Sequence, residues 1–290
     1  MRRRLLISLL LLTASALALR AQDIPDYAQH DQAVADSLDA EAARYAPLDS
    51  LLTQFYGALL YEQTDAKNAE FDALIDSCRD SLTRQHVALA IFDHYRYSRV
   101  MGEEAVALHV YDEWIASGKV RTRSEFEMFE AERFALENRK TLIGMQAPQV
   151  TLRTPCGGRR TVPVHGDRPA VLFFYSPHCA KCRLETHALP AVLAEVDFPM
   201  DFYAINVDTD RKDFRAFRKA IGTPNKNVRI THLWDPKSES TLLLDYGVFS
   251  TPKVFVVWKD GEILGRRLEM ENLQEIIRYI NMLYGQEKEE

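Results

Sequence analysis

Cysteine is scarce in this chain, and glycine and proline are scarce in its first half. The 290 residues include four cysteines, too few for the disulfide framework that stabilises many small secreted proteins. Basic residues are not in excess either, since 36 lysines and arginines face 42 aspartates and glutamates. That balance disfavours a nucleic-acid-binding protein, which needs positive charge against phosphate. With 47% hydrophobic residues, the composition instead predicts a globular protein of about two domains.

The longest apolar run lies at the N-terminus and predicts a secretory signal peptide at residues 1–21. Three arginines precede the largely apolar residues 5–19, and small residues stand at Ala16, Ala18 and Ala21. A membrane anchor is the alternative, but a spanning helix needs roughly 20 apolar residues and Arg20 ends this run early. Removing this segment changes the formal charge from −6 to −10. We therefore expect a mature protein that is periplasmic or otherwise extracytoplasmic, without stable membrane insertion.

Glycine and proline divide the remaining chain into two parts. Residues 1–143 contain three glycines and two prolines, whereas residues 144–290 contain nine and ten. Because both residue types break helices and mark turns, the first part is expected to be helical. Apolar residues recur there at spacings of three and four, as on one helix face: Phe71, Leu74, Ile75, Cys78 and Leu82, and later Phe126, Phe129 and Phe134. We predict an all-α bundle of about five helices over residues 22–142.

The second part, residues 143–290, alternates strand-like and helix-like segments. Apolar runs of strand length are found at residues 170–175, 202–207, 228–234 and 253–258. Helical patterns lie between them and at the end: residues 180–195, 210–220 and 271–283. The pair Asp260-Gly261 is typical of a tight hairpin turn. This alternation predicts an α/β sheet domain, which we expect to fold and remain active without the bundle.

Two cysteines carry the chemistry of the second part. Cys179 and Cys182 follow a predicted buried strand and open a predicted helix, so both sulfurs lie on one helical turn. The N-terminus of a helix favours a thiolate at Cys179, and Lys181 adds positive charge nearby. A thiolate is the species that attacks a disulfide. The pair therefore predicts thiol–disulfide exchange in which the cysteines carry the electrons themselves and no cofactor is needed.

From about residue 143 onwards the sequence resembles the thioredoxin superfamily, most closely its secreted TlpA-like and cytochrome-maturation-like thiol–disulfide oxidoreductases. Besides the cysteine pair, residues 144–152 resemble the opening of that branch, and residues 246–254 resemble its cis-proline loop. The resemblance implies an α/β thioredoxin-like fold, a central mixed sheet flanked by helices, preceded in this chain by the all-α bundle. It also implies that Pro252 follows a cis peptide bond facing the cysteines and that Thr251 offers its backbone to an extended substrate.

Individual roles follow from the motif and the resemblance together. Cys179 is expected to attack, and Cys182, one turn inside the helix, to resolve the mixed disulfide. Glu185 stands where cytochrome-maturation relatives carry an acid, and we predict that it accepts the proton of Cys182; the alternative is a solvated helix carboxylate. His178 replaces the family's usual tryptophan and is expected to face the substrate. Phe173 occupies the position of thioredoxin's buried aspartate, so that proton acceptor is missing.

The expected partners are protein thiols and disulfides, with a membrane or soluble redox partner and no nucleic acid. Two other functions are alternatives, and the first of them uses the same residues. A soft or borderline metal such as copper or zinc has potential ligands in His178, Cys179, Cys182 and His187. A non-catalytic binding or scaffold module on a thioredoxin fold is the other alternative.

The two remaining cysteines, Cys78 and Cys156, are expected to be a buried inert thiol and an exposed turn residue. A structural disulfide between them is the alternative, because the expected compartment is oxidising.

Overall fold

The computed structural model describes residues 27–222 and 225–289. The predicted signal peptide at residues 1–21 lies outside them. The chain forms two compact units, Met1–Tyr61 and Glu62–Glu290. The boundary predicted at residue 143 falls inside the second unit and stays a prediction. In the described ranges, no helix combines the length and apolar character that crossing a membrane requires.

The described residues before the sheet form five α-helices, the number predicted. They are α1 (Tyr27–Ala58), α2 (Thr64–Ser77), α3 (Ser81–Arg96), α4 (Glu104–Val110), which continues as a π-helical segment at Tyr111–Ala116, and α5 (Glu125–Asn138). Local side-chain caps fix where two of them begin. Asp80 accepts a hydrogen bond from the Thr83 N–H at 2.8 Å, and Ser124 accepts one from the Glu127 N–H at 3.1 Å.

The helical part of the second unit has a core of its own. Phe71 and Tyr95, both buried, pack edge to face with ring centroids 5.2 Å apart. The predicted apolar face is wrong at Leu82, which is 53% exposed, because α2 ends at Ser77 and Leu82 belongs to the next helix. It is also wrong on α5, where Phe126 and Phe129 are largely exposed although their spacing is that of a buried face.

The sheet has seven strands among the described residues, in the order β2-β1-β5-β4-β3-β6-β7. They are β1 (Val150–Arg153), β2 (Arg159–Val162), β3 (Ala170–Tyr175), β4 (Met200–Asn206), β5 (Val228–Trp234), β6 (Lys253–Val257) and β7 (Ile263–Arg266). The central strands β3, β4 and β5 are parallel, and the outer strands pair antiparallel. The sheet is therefore mixed, as predicted.

Helices cover both faces of the sheet. They are α6 (Ala180–Ala194), α7 (Arg211–Arg218), α8 (Leu242–Tyr246) and α9 (Met270–Glu289). On one face Phe173 packs in a cluster with Leu189 of α6 and Ile277 of α9, and on the other Phe174 packs with Tyr246 of α8. Every residue of β3 is buried for this reason, which explains its unbroken apolar sequence.

Within the second unit, the helices contact the end of the sheet through buried polar groups. The Arg266 guanidinium on β7 forms an ion pair with Glu104, 3.0 Å between Nε and Oε1, and donates a 2.6 Å hydrogen bond to Asn138. Gly247 has a φ of +58°, and a Cβ there would collide with the Glu137 backbone. The close approach of α5 to the loop after α8 therefore requires glycine at this position.

Candidate functional site

The two redox-motif cysteines lie where strand β3 passes into helix α6. Cys179 is the N-cap of α6, and its Sγ accepts a hydrogen bond from the Cys182 N–H at 3.1 Å. Cys179 is half-buried at the surface, whereas Cys182 is fully buried, and both are free thiols. The turn thus joins both sulfurs at the start of one helix and presents only the first to solvent.

The two thiols differ in pKa because their environments differ. Burial tends to raise the pKa of Cys179, but hydrogen bonds from the thiol and the N–H of Cys182 outweigh it, so the pKa lies below its ordinary value. Desolvation, with the hydrogen bond to Cys179, raises the pKa of Cys182 to about 12. At neutral pH the accessible sulfur is therefore the one that ionises more readily, as an attacking nucleophile requires.

The loop before β6 lies against Cys179. The Thr251–Pro252 peptide bond is cis, and the Cys179 thiol donates a hydrogen bond to the Thr251 carbonyl at 3.2 Å. The structure thus places Thr251 and Pro252 next to Cys179, although they lie about 70 positions further along the sequence.

The charged residues on α6 point to neighbours at the start of α9. Lys181 contacts Glu269 at 2.6 Å, so part of its charge is offset by a carboxylate rather than directed at Cys179 alone. Glu185 is half-buried and accepts a hydrogen bond from the Met270 N–H at 3.1 Å. Burial raises the Glu185 pKa above its ordinary value, against the opposing effect of Lys181. No hydrogen bond joins Glu185 to Cys182 in the described part of the chain.

His178, the residue before Cys179, lies at the mouth of a groove between α6 and α7. Its side chain is 69% exposed, and its Nε2 lies 3.0 Å from an Asp213 carboxylate oxygen on α7. The groove has a volume of about 380 Å³ and is also lined by His187. Across residues 27–222 and 225–289, no group of three or more histidine, cysteine, aspartate or glutamate side chains is arranged to hold a metal ion.

Two residues that the sequence analysis missed shape the turn before the cysteines. The Ser176 hydroxyl donates to Asp208 at 2.6 Å and accepts from the His178 N–H at 3.1 Å, while its carbonyl accepts from the Cys179 N–H. Asp208 follows β4, the parallel neighbour of β3. The carboxyl ends of adjacent parallel strands meet at one edge of a sheet. The position of Asp208, just after a predicted strand, could therefore have indicated that it lies near the cysteine turn.

The other two cysteines lie on separate elements. Cys78 is half-buried at the end of α2, and its thiol donates to the Leu74 carbonyl at 3.5 Å. Cys156 is exposed in the turn between β1 and β2, as predicted. Both are free thiols, so the alternative prediction, a structural disulfide between them, is wrong.

The similarity of this chain to known proteins lies mainly in its sheet-containing part. Residues 143–265 match the model of the AhpC/TSA family. A thioredoxin-like protein from Bacteroides caccae is similar in structure, with a TM-score of 0.62 at 15% identity over 81% of this chain and 84% of that one. No curated protein matches this chain.

Two shorter structures align with about half of the chain. A thiol-disulfide oxidoreductase from Bacteroides fragilis has a TM-score of 0.40 at 18% identity, covering 47% of this chain and 98% of that one. A secreted disulfide oxidoreductase from Mycobacterium tuberculosis has a TM-score of 0.36 at 22% identity, covering 44% and 94%.

The Bacteroides caccae structure supports the fold over most of the chain, and the family match falls on the segment that contains the cysteine pair and the cis-proline loop. The chain therefore has a thioredoxin-like α/β fold preceded by a helical region, with residues 143–265 matching the AhpC/TSA family.

Proposed function

We propose that this protein is a thiol–disulfide oxidoreductase acting through Cys179 and Cys182. The observation that carries the proposal is the asymmetry of the pair. Cys179 is accessible, caps a helix and has a lowered pKa, while Cys182 is buried and has a pKa of about 12. A structural cysteine pair needs neither an accessible thiol nor unequal acidities.

The exchange takes place in two balanced steps. The Cys179 thiolate attacks one sulfur of a partner disulfide, forming a mixed disulfide and releasing the other partner sulfur as a thiolate. Cys182 then loses its proton and attacks the Cys179 sulfur, which releases the second partner thiolate and leaves a Cys179–Cys182 disulfide. The partner gains two electrons and the protein loses two; the reverse sequence oxidises a partner dithiol.

Resolution requires a base for Cys182, and Glu185 is our candidate. It lies one turn further along α6, and burial gives it a raised pKa that suits proton transfer better than an ordinary solvated carboxylate. Its hydrogen bond from the Met270 N–H orients the carboxylate. Because no direct hydrogen bond links it to Cys182, the proton is proposed to pass through a water molecule.

Substrate contacts are assigned to the residues around Cys179. The Thr251 carbonyl lies 3.2 Å from the Cys179 sulfur, so a substrate strand that pairs with the backbone beside Pro252 brings its own sulfur to Cys179. His178, exposed beside the same sulfur, is proposed to contact the partner chain. The proposed partners are proteins with thiols or disulfides in an extracytoplasmic compartment, reached by way of the N-terminal signal peptide.

A trapping experiment tests the assignment. Cys182→Ser should accumulate a covalent complex with a disulfide-containing protein substrate such as insulin, because the second step is blocked. Cys179→Ser, the matched variant, should form none. Complexes formed equally by both variants, or by neither, would contradict the attacking role of Cys179 and the resolving role of Cys182.

A further inference from the structure

Helix α7, next to the cysteine pair, has a basic surface that takes no part in the exchange chemistry. Residues 211–219 contain five basic residues in a chain of net charge −6. Arg211, Lys212, Arg215 and Lys219 are exposed, and none of them forms an ion pair with a carboxylate of a described residue. We name this set the α7 basic surface: Arg211, Lys212, Arg215 and Lys219.

The carboxylates nearest in sequence to this surface already have other partners. Asp208 accepts from Ser176, Asp210 caps α7 by accepting the Asp213 N–H, and Asp213 contacts His178. Their charge is directed at the turn and the helix start, so the positive charge of the α7 basic surface remains available to a partner.

The surface borders the groove that starts at the redox site. The groove is lined on this side by Asp213, Ala216, Phe217 and Ala220, from α7 and the residues after it. Lys212 and Lys219 are four and three positions from Ala216, so they adjoin the lining face, and Arg215 lies beyond them on the same helix. The opposite wall contributes further basic side chains, Arg183 and His187, both exposed.

The groove also has an apolar lining that reaches the reactive turn. Pro177 lies at the end nearest Cys179, and Phe217, partly buried against the core, lies on the α7 side. A peptide segment seated in this groove would bury apolar side chains and meet positive charge along both rims.

We infer that the α7 basic surface and the adjoining groove dock an acidic segment of the partner protein, next to the disulfide or dithiol that reacts with Cys179. The inference rests on the proposed redox function and adds the chemical class of the partner: negative charge flanking the reacting cysteines. Charge complementarity of this kind accelerates encounter and selects among partners more than it increases affinity.

The test compares three disulfide probes with the reduced protein. Two are peptides of equal length with one internal disulfide, flanked by glutamates in one and by lysines in the other. The third is bis(2-hydroxyethyl) disulfide, which is uncharged and reports the chemistry of Cys179 alone. We expect the acidic peptide to react about tenfold faster than the basic one at low salt, with the ratio falling towards one in 1 M salt, where the screening length is about 3 Å.

Charge reversal locates the effect. The triple variant Lys212→Glu, Arg215→Glu, Lys219→Glu should lose or invert the preference for the acidic peptide. A matched control is the triple variant Arg79→Glu, Lys119→Glu, Arg121→Glu, which changes the net charge equally at exposed residues of the helical region. This control should keep the preference for the acidic peptide.

Each outcome decides a different claim. No preference in the wild type, or a preference that survives the α7 triple reversal, overturns the docking surface while reaction with the uncharged disulfide still supports the redox function. No reaction with any probe overturns the redox function and the inference with it. If the triple reversal leaves the peptide preference but abolishes sedimentation with vesicles of anionic phospholipid, the surface binds a membrane and the inference is wrong.

Discussion

Replacing Glu104 with glutamine is expected to destabilise the second compact unit strongly. The Glu104 and Arg266 side chains are 4% and 2% exposed, and their charged atoms lie 3.0 Å apart. At that distance, with an effective dielectric constant of about 20, the attraction is roughly 5 to 6 kcal/mol. Removing one partner of a buried pair usually costs about 3–5 kcal/mol, because the other charge stays buried without compensation.

Glutamine suits this test because it keeps the size of the side chain and an oxygen for the hydrogen bond that Glu104 accepts from the Gly102 N–H. With that oxygen kept in place, the amide NH2 group faces Arg266, so the change removes the negative charge and the acceptor opposite the guanidinium. Burial already lowers the pKa of Arg266 to about 10 in the presence of Glu104. Without the carboxylate the guanidinium has only Asn138 as a hydrogen-bond partner among the described residues.

Urea unfolding followed by circular dichroism measures the loss, with both proteins kept reduced. The matched control is Glu239→Gln, which removes a carboxylate 3.3 Å from Arg153 at the surface, where the side chains are 47% and 31% exposed. That change is expected to cost less than about 1 kcal/mol. A Glu104→Gln loss as small as the control's would refute the claim that this buried pair stabilises the packing of the helices on the sheet.

Three further predictions concern the cysteines and the domain boundary. Iodoacetamide should modify Cys179 with a pH midpoint below that of an ordinary thiol, because its thiolate is stabilised, whereas Cys182 should stay protonated and unreactive until the pH approaches 12; equal rates at pH 7 would contradict the assignment. Glu185→Gln should slow resolution of the mixed disulfide while changing the rate of the first attack less than about twofold. A stopped-flow trace in which the rates of both steps are unchanged would show that Glu185 is only a solvated helix carboxylate. The fragment 143–290 should unfold at lower urea than 62–290, because it lacks the partners of Arg266; equal midpoints would support the boundary drawn from the sequence.

The sheet was predictable because its apolar segments are continuous. Strand β3 is buried on both faces, so every residue is apolar or aromatic, and its predicted bounds agree with the structure. The helical region was predictable in kind but not in packing. Phe126 and Phe129 have the spacing of a buried face and are nevertheless exposed, since spacing shows which residues share a face and not what that face contacts.

The cysteine site was likewise predictable only in part. Cys179, Cys182 and Pro252 are found by a local motif and a resemblance, and the structure brings the Thr251–Pro252 loop to the cysteines. Asp213 and Glu269, which contact His178 and Lys181, come from elements far along the chain. Many carboxylates in the sequence could have filled those positions, so only the tertiary fold selects them.

The packing between the helices and the sheet was beyond local sequence reasoning altogether. Glu104 and Arg266 carry no motif, and each alone resembles an ordinary surface charge. The close approach of the Glu137 backbone to Gly247, which has no side chain, is a second contact of this kind. A composition change near residue 143 therefore marked the change from helices to strands without showing that the two parts share buried contacts.

The proposed redox pair is tested most directly by a redox titration of the protein in glutathione buffers of graded potential. Free thiols are alkylated at each potential, and mass spectrometry identifies which cysteines are protected. We expect a single two-electron transition in which Cys179 and Cys182 lose and regain their thiols together. If both remain alkylatable thiols at every potential, or if one of them pairs with a cysteine elsewhere instead, the proposed redox pair is contradicted.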